Sequence, residues 1–300
     1  MTMAERKAEA AGFSAERLID DREFARFQAL VQREAGIFLS DAKRSLLVGR
    51  LTRRLRHLGL SSFDEYYRYV ENDTAERVCM LDHLTTNETH FFREPRHFQY
   101  LDEDVLPRWR AQADAGQRSR RIQIWSSACS TGEEPYSLAM TLLRAFPPGS
   151  GWELEVLATD LSTRVLEHAR EAVWPIDKAK EIPADDLKAF MLRGTGSQAG
   201  FMKAGPEIRR VVRFARLNLN DPEYPAAGQF DLIFCRNVLI YFDGPTKERV
   251  VERLLRHLAP GGYFFLGHAE SLTGTTLPVR SVFPTVYSPR VANAEKGLVR

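Results

Sequence analysis

The stretch Phe230-Asp-Leu-Ile-Phe-Cys-Arg-Asn-Val-Leu-Ile-Tyr-Phe-Asp243 decides the fold of this chain. Its apolar run from Phe230 to Cys235 reads as a strand buried on both faces, the pattern of a parallel sheet. Arg236 and Asn237 arrive where that strand should end, and Tyr241 follows four residues later. In open α/β sheets ligands bind beyond the carboxyl ends of the strands. A guanidinium and an amide at that point are candidates to face a ligand rather than to decorate a surface.

Outward from this strand, short apolar runs alternate with helical patterns. Arg121–Trp125, Leu154–Ala158 and Tyr263–Leu266 read as strands, and Pro135–Phe146, Ser162–Ala172 and Lys247–Leu258 as helices. Such alternation implies right-handed βαβ units and a parallel sheet. Residues 186–216 depart from it. Gly194, Gly196, Gly200 and Gly205 break any helix there, and Val211-Val-Arg-Phe214 looks like a strand, so a small β insert is expected. The part before residue 85 reads helical. Phe24, Phe27, Leu30 and Val31 recur at helical spacing, Ser62 with Glu65 fits a capping box, and Val78, Leu81 and Leu84 form another apolar stripe.

The chain is long enough to bury a core, and its net charge of +2 creates no global field that would favour nucleic acid. No apolar run approaches a membrane span and Met1–Lys7 lacks an apolar signal core, so a cytoplasmic location is expected. Cys79, Cys129 and Cys235 are odd in number and far apart, which suggests neither a disulfide framework nor a zinc site. Between residues 41 and 60 stand six Lys/Arg and a single acid, Asp41. Leu47, Leu51, Leu55 and Leu58 share one helical face, Arg50, Arg53, Arg56 and His57 lie away from it, and Arg54 sits near its edge. This is either a solvated outer face or a docking surface for a partner bearing carboxylates or phosphates. The absence of aromatics argues against single-stranded nucleic acid.

Trp125-Ser-Ser-Ala-Cys-Ser-Thr-Gly-Glu-Glu-Pro-Tyr-Ser137 spans a strand–turn–helix junction, the cofactor position of Rossmann-like folds, yet it lacks Gly-x-Gly-x-x-Gly. Glu133 and Glu134 stand at the helix N-terminus, where two carboxylates would repel a pyrophosphate, although they also complement the helix dipole. A cationic ligand without phosphate fits better. Asp160 ends the next strand, in position to accept hydrogen bonds from ribose hydroxyls. Together these features describe a pocket for S-adenosylmethionine (SAM).

Four segments then resemble signature segments of the chemotaxis receptor methyltransferase (CheR) family: Thr85-Thr-Asn-Glu-Thr-His-Phe-Phe-Arg93, Ser130-Thr-Gly-Glu-Glu-Pro-Tyr-Ser137, Phe234-Cys-Arg-Asn-Val-Leu-Ile-Tyr-Phe242 and Gly267-His-Ala-Glu-Ser271. The resemblance implies an α/β fold: a helical N-terminal domain over residues 1–85, a linker and helix over 86–114, and a Rossmann-like SAM-dependent methyltransferase domain over 115–300. The β insert falls at about 186–216. It implies methyl transfer from SAM to glutamate side chains of chemoreceptors, for chemotactic adaptation, leaving S-adenosylhomocysteine and using no metal. Asn87, Thr89, Arg93, Glu134, Asp160, Asn218, Leu219, Arg236 and Asn237 match the family's cofactor contacts, and Arg93 and Tyr241 its methyl-transfer centre. Arg50, Arg53, Arg54 and Arg56 fall in a helix resembling its receptor-facing helix. Arg193-Gly-Thr-Gly196 resembles a loop of the insert that grips a receptor C-terminal peptide in some members.

The chemistry agrees with such a site. Glutamate is ionised at neutral pH, so its methylation needs no general base, and no His/Asp constellation is evident near the motifs. His268 reads as structural, and Phe91-Phe92 as packing between domains. Two other readings are a non-catalytic SAM-responsive module and a nucleic-acid methyltransferase. The joint presence of Arg93 and Tyr241 opposes the first, and the near-neutral charge the second.

Overall fold

The computed structural model describes residues 19–225 and 228–290. The expectation for Met1–Lys7, and the outer ends of the expected spans 1–85 and 115–300, lie outside the described residues. The chain divides into two compact units, one running to Thr86 and including Tyr241–Asp243, the other formed by Asn87–Ile240 and the chain from Gly244.

The first unit is helical. Its opening helix α1, Asp21–Ala35, is set by a reciprocal capping box: Glu23 N donates to Asp20 Oδ1 at 2.7 Å, and Asp20 N to Glu23 Oε2 at 3.0 Å. Phe24, Phe27, Leu30 and Val31 form its buried stripe, and Phe27 meets Phe63, Tyr66 and Tyr67. Helices α2 (Arg44–Leu58), α3 (Phe63–Asn72) and α4 (Thr74–Leu84) complete the packing. The box expected at Ser62 and Glu65 is only half present. Ser62 Oγ accepts from Glu65 N, but the Glu65 carboxylate takes the N–H and hydroxyl of Ser61 instead. In α2 Leu47, Leu51 and Leu55 are buried, while Leu58 stays half-exposed. Within the same unit, Phe242 bridges to Ile37, Phe38 N donates to Tyr241 O at 2.8 Å, and Gln32 donates to Asp243 at 2.7 Å.

Arg54 corrects the picture of an outward basic face. Its guanidinium turns onto buried Glu76 through both Nε and a terminal nitrogen, and Tyr66 donates its hydroxyl to the same carboxylate at 2.9 Å. Arg50 also folds back, onto the Leu84 carbonyl and the Thr86 hydroxyl. Arg53 and Arg56 remain exposed.

The second unit opens with α5 (Pro95–Tyr100), a π-helical turn over Leu101–Val105 and α6 (Leu106–Asp114). Its sheet contains β1 (Arg121–Ser126), β2 (Glu153–Asp160), β6 (Val212–Arg216), β7 (Phe230–Cys235), β8 (Leu258–Leu266), β9 (Val279–Phe283) and β10 (Val286–Pro289), in the order β6-β2-β1-β7-β8-β10-β9. The five strands from β6 to β8 are parallel, as their apolar runs require. Asp231, the polar break in β7, is held by Arg118 and by Gln123 N. The β9–β10 pair runs antiparallel on the far edge, which the alternation pattern did not reveal. Helices α7 (Glu133–Ala145), α8 (Thr163–Glu171) and α11 (Gly244–Arg256) provide crossovers.

The β insert begins earlier and ends sooner than the expected 186–216. It is a three-stranded antiparallel sheet of β3 (Val173–Pro175), β5 (Phe201–Ala204) and β4 (Met191–Arg193), in the order β3-β5-β4, with α9 (Ala184–Phe190) leading into β4. The strand seen in Val211–Phe214 is β6, which pairs with β2 in the main sheet after the short helix α10 (Pro206–Val211). Proximity in sequence to the glycines had assigned it to the wrong sheet. Phe91 and Phe92 pack within this unit against Trp174 and Phe98.

Glu76→Ala is expected to lower stability by about 3 kcal/mol, because it strands a largely buried guanidinium and a buried phenol. Urea titration of the full chain, followed by far-UV circular dichroism, measures this. A midpoint equal to wild type would remove the structural role assigned to Arg54.

Candidate functional site at the carboxyl ends of the strands

Chain order reverses between β1 and β7. From β1 the chain proceeds to β2 and β6 on one side, and later to β7 and β8 on the other, so the crevice beyond β1 and β7 is the switch point of the sheet. Ser127 fastens the two strands there, its N–H and its hydroxyl each donating to Phe234 O at 2.9 Å. The turn after β1 then passes through left-handed Ser130 (φ 48°) and Gly132 (φ 97°) into α7. A Cβ on Gly132 would lie 3.0 Å from Ala169 Cβ and 3.2 Å from Ala169 Cα, so α7 and α8 close on that glycine.

Arg236 is the centre of the site. Its side chain is 1% exposed and lies 3.0 Å from Glu94 and 3.0 Å from Glu134, and it donates to the Arg93 carbonyl. Glu134 also accepts from Ser126 Oγ at 2.7 Å. Burial pushes the Glu134 carboxyl up, with Arg236 and Ser126 opposing. Burial acts the same way on Glu94, but Arg236 and the His268 N–H outweigh it and hold that carboxyl below its usual range. Glu133, at the first position of α7, pairs with Lys178 and takes the Thr131 hydroxyl at 2.6 Å. Each acid of the Glu133-Glu134 pair thus has a cation. Repulsion of phosphate by two bare carboxylates is therefore not what shapes this turn. What remains is that Ser127–Gly132 contains no lysine or arginine to receive a phosphate.

Asp160 ends β2 and accepts from Ser130 N at 2.8 Å and Ser162 N at 3.0 Å. A carboxylate has about four acceptor positions. Those two bonds fix its orientation at the strand end. Ser130 Oγ donates to Asn87 O at 2.9 Å, and Lys178 Nζ to Thr89 O at 3.2 Å, so the segment carrying Asn87, Thr89 and Arg93 is bound to the turn through its backbone. Arg93 lies between left-handed Phe92 (φ 50°) and Glu94 (φ 58°), and its guanidinium donates to Glu88 O at 3.1 Å. Asn218 follows β6 and accepts from Asn220 N at 3.0 Å; Leu219 is buried and its carbonyl accepts from Tyr224 at 2.7 Å. Asn237 is left-handed too (φ 57°). These residues share the second unit, whereas Tyr241, Arg50, Arg53, Arg54 and Arg56 belong to the first.

Three acidic or imidazole groups escaped the sequence reading. Glu270 is buried, and its carboxylate collects the N–H groups of Asn237 (2.8 Å), Gly267 (2.8 Å) and Leu239 (2.7 Å). Burial raises its pKa while those N–H groups oppose. It holds the loop after β7 against the loop after β8, where a Cβ on Gly267 would lie 2.5 Å from Asn237 Nδ2. Glu94 binds His268 N at 3.0 Å and Asn237 Nδ2 at 3.3 Å, and His97 Nδ1 lies 3.4 Å from it. Glu94, His97 and His268 offer ligand atoms within 4.8 Å of one another, a cluster assembled from segments far apart in the chain. Arg236 already occupies the shared Glu94 oxygen with a permanent positive charge, which opposes a divalent ion there. The signal that could have found Glu270 is its place in Gly267-His-Ala-Glu-Ser271, beyond the end of β8.

Residues 87–287 match the family model described as CheR methyltransferase, SAM binding domain, and residues 22–85 the one described as CheR methyltransferase, all-alpha domain. A switch-point crevice on a sheet matching that description defines a SAM-dependent methyltransferase. The chain belongs to the CheR family of chemotaxis methyltransferases. It is 43% identical over 271 residues to chemotaxis protein methyltransferase 2 of Pseudomonas aeruginosa, covering 89% of this chain and 92% of that one. Against the chemotaxis protein methyltransferase of Escherichia coli it is 40% identical over 258 residues, 85% of this chain and 86% of that one. The family and fold expected from the sequence are thereby established. No helix among the described residues is long and apolar enough to cross a membrane.

Glu270→Ala leaves three buried N–H groups without their acceptor, each worth about 1–3 kcal/mol. It is expected to weaken SAM binding about ten-fold or more, read by isothermal titration calorimetry, with Glu270→Gln intermediate. His97 is pushed down to about 4, by burial first and then by Arg236, so it is neutral in the folded chain at pH 7. An unfolded histidine titrates at about 6.5. The folded state therefore binds fewer protons below that value, and stability falls as pH drops from about 6.5 to about 4. In His97→Gln this contribution to the decline disappears, and parallel pH–stability curves for the two proteins would refute it.

Proposed function

We propose that this chain transfers the methyl group of SAM to glutamate side-chain carboxylates of chemoreceptors, giving glutamate methyl esters. The observation that carries the reading is Arg93. Its backbone is set by two left-handed neighbours and by Arg236, yet among the described residues no carboxylate pairs with its guanidinium. Two other partly buried arginines, Arg54 and Arg118, each have an acid, Glu76 and Asp231. A positioned guanidinium without an acid suits an incoming carboxylate, which it would orient bidentately. The names of the relatives, chemotaxis protein methyltransferases, support a substrate within chemotaxis signalling.

SAM, when bound, supplies an electrophilic methyl on a sulfonium. Asp160 would hold the ribose, with Asn87, Thr89, Glu134, Asn218, Leu219, Arg236 and Asn237 framing the rest of the cofactor. The substrate glutamate arrives ionised, so the protein supplies alignment and exclusion of water rather than a base. Tyr241 would border the methyl path, its backbone fixed by Phe38 and its ring 5.6 Å from the Lys43 ammonium. In the helical unit Arg53 and Arg56 present exposed charge to an acidic receptor surface, while Arg50 and Arg54 chiefly brace that helix. The edge strand β4 carries exposed Leu192, with Phe201 exposed beside it on β5, a surface suited to a receptor tail peptide laid along Arg193–Gly196.

Incubation with methyl-labelled SAM and receptor-bearing membranes, followed by mild alkali, is expected to release volatile labelled methanol. Label that is retained, or transferred to added RNA, would sink the assignment. Arg93→Ala and Tyr241→Phe are each expected to lower turnover about 10- to 100-fold, an effect of lost alignment. Arg53→Ala/Arg56→Ala is expected to raise KM for receptor several-fold at low salt, with kcat unchanged.

A further inference from the structure

We propose that the groove between the first turn of α7, the end of α8, α10 and the edge strand β6 binds a phosphate-bearing ligand of about mononucleotide size. The groove encloses 340 Å³, at the small end of ligand pockets, which run from about 300 to 1,000 Å³. Three arginines surround it: Arg170 from the last turn of α8, and Arg209 and Arg210 from α10. Its floor is apolar, built from Tyr136, Val212 and half-buried Phe214.

The charge on this groove is uncompensated. No ion pair involves Arg170, Arg209 or Arg210 among the described residues, whereas Arg144, Arg213 and Arg236 each hold a carboxylate. The acid nearest in sequence on α10, Glu207, is turned back beside Gly205. Arg170 is steadied by a 3.4 Å bond to Phe214 O, and Arg209 lies against the Tyr136 hydroxyl, so two of the three heads are directed by the groove itself. Like charges gathered without an acid repel one another, a cost that a bound dianion removes. Guanidinium groups meet phosphate oxygens in pairs, and three of them match a group of charge near −2 better than a single carboxylate. The apolar floor adds a surface for a flat ring, which separates a nucleotide from free phosphate.

Isothermal titration of the full chain with ADP, and separately with inorganic pyrophosphate, tests the assignment. ADP is expected to bind one per chain with a Kd in the range of about 10–500 μM, and pyrophosphate several-fold more weakly for want of the ring. Arg209→Ala/Arg210→Ala is expected to weaken ADP at least about ten-fold, and Arg170→Ala by a smaller factor, with SAM affinity unchanged as the check on folding. Arg53→Ala, a surface arginine outside the groove, is expected to leave ADP binding alone. Three results would each overturn the proposal: no saturable binding of ADP, equal affinity of ADP for the double variant, or tighter binding of a poly-glutamate peptide than of ADP at the same ionic strength.

Discussion

The Arg236 guanidinium, with carboxylates on two sides and a peptide carbonyl on a third, is the interaction on which the site depends. Removing a guanidinium from water costs several kcal/mol, and attraction offsets this only where geometry is good and the remaining donors are used. Here the partners come from distant parts of the chain: Glu94 after the interdomain segment, Glu134 at the start of α7, and the Arg93 carbonyl. The ion pair thereby joins three loops that the sheet alone would leave independent. It also explains how two acids can be tolerated at one strand end, since Glu134 has both Arg236 and the Ser126 hydroxyl.

Around that centre the backbone is held in costly conformations. Phe92, Glu94, Ser130 and Asn237 all have positive φ without being glycine, at about 1–2 kcal/mol each. Phe92 and Glu94 flank Arg93, Asn237 is itself an expected cofactor contact, and Ser130 donates its N–H to Asp160. The strain is borne because neighbouring groups over-determine the conformation: Glu270 holds Asn237 N, Asp160 holds Ser130 N, and Ser137 Oγ accepts from Phe92 N at 2.9 Å. The outcome is a set of side chains whose directions are fixed before any ligand arrives, which is what an alignment-driven displacement requires.

Much of this was legible in the sequence, for a physical reason. Strand ends are marked by the place where an apolar run stops, so Arg236, Asn237, Asp160 and Glu134 announced themselves by position. What was hidden was pairing at long range. Nothing in the local pattern says that Lys178 answers Glu133, that Glu270 caps the loop after β7, or that His97 and His268 converge on Glu94. The same blindness misplaces β6, whose partner β2 lies more than fifty residues earlier, and leaves Arg54, at the edge of the leucine stripe, grouped with the receptor-facing arginines when Glu76 waits on another helix.

Arginine therefore plays two roles in this chain, and burial of an acid partner separates them. Arg54, Arg144 and Arg236 each face a carboxylate that is itself largely buried, and removing either member would strand a charge away from water. Their function is architectural, even where they line a pocket. Among the described residues Arg93, Arg53 and the trio around the α10 groove pair with no acid, which leaves their charge open to a ligand or partner. On the readings proposed above, a receptor carboxylate, an acidic receptor surface and a phosphate would be three different answers to one electrostatic vacancy. Their settings differ: a strained segment ahead of α5 for Arg93, an exposed helix face for Arg53, and an apolar-floored groove for the trio.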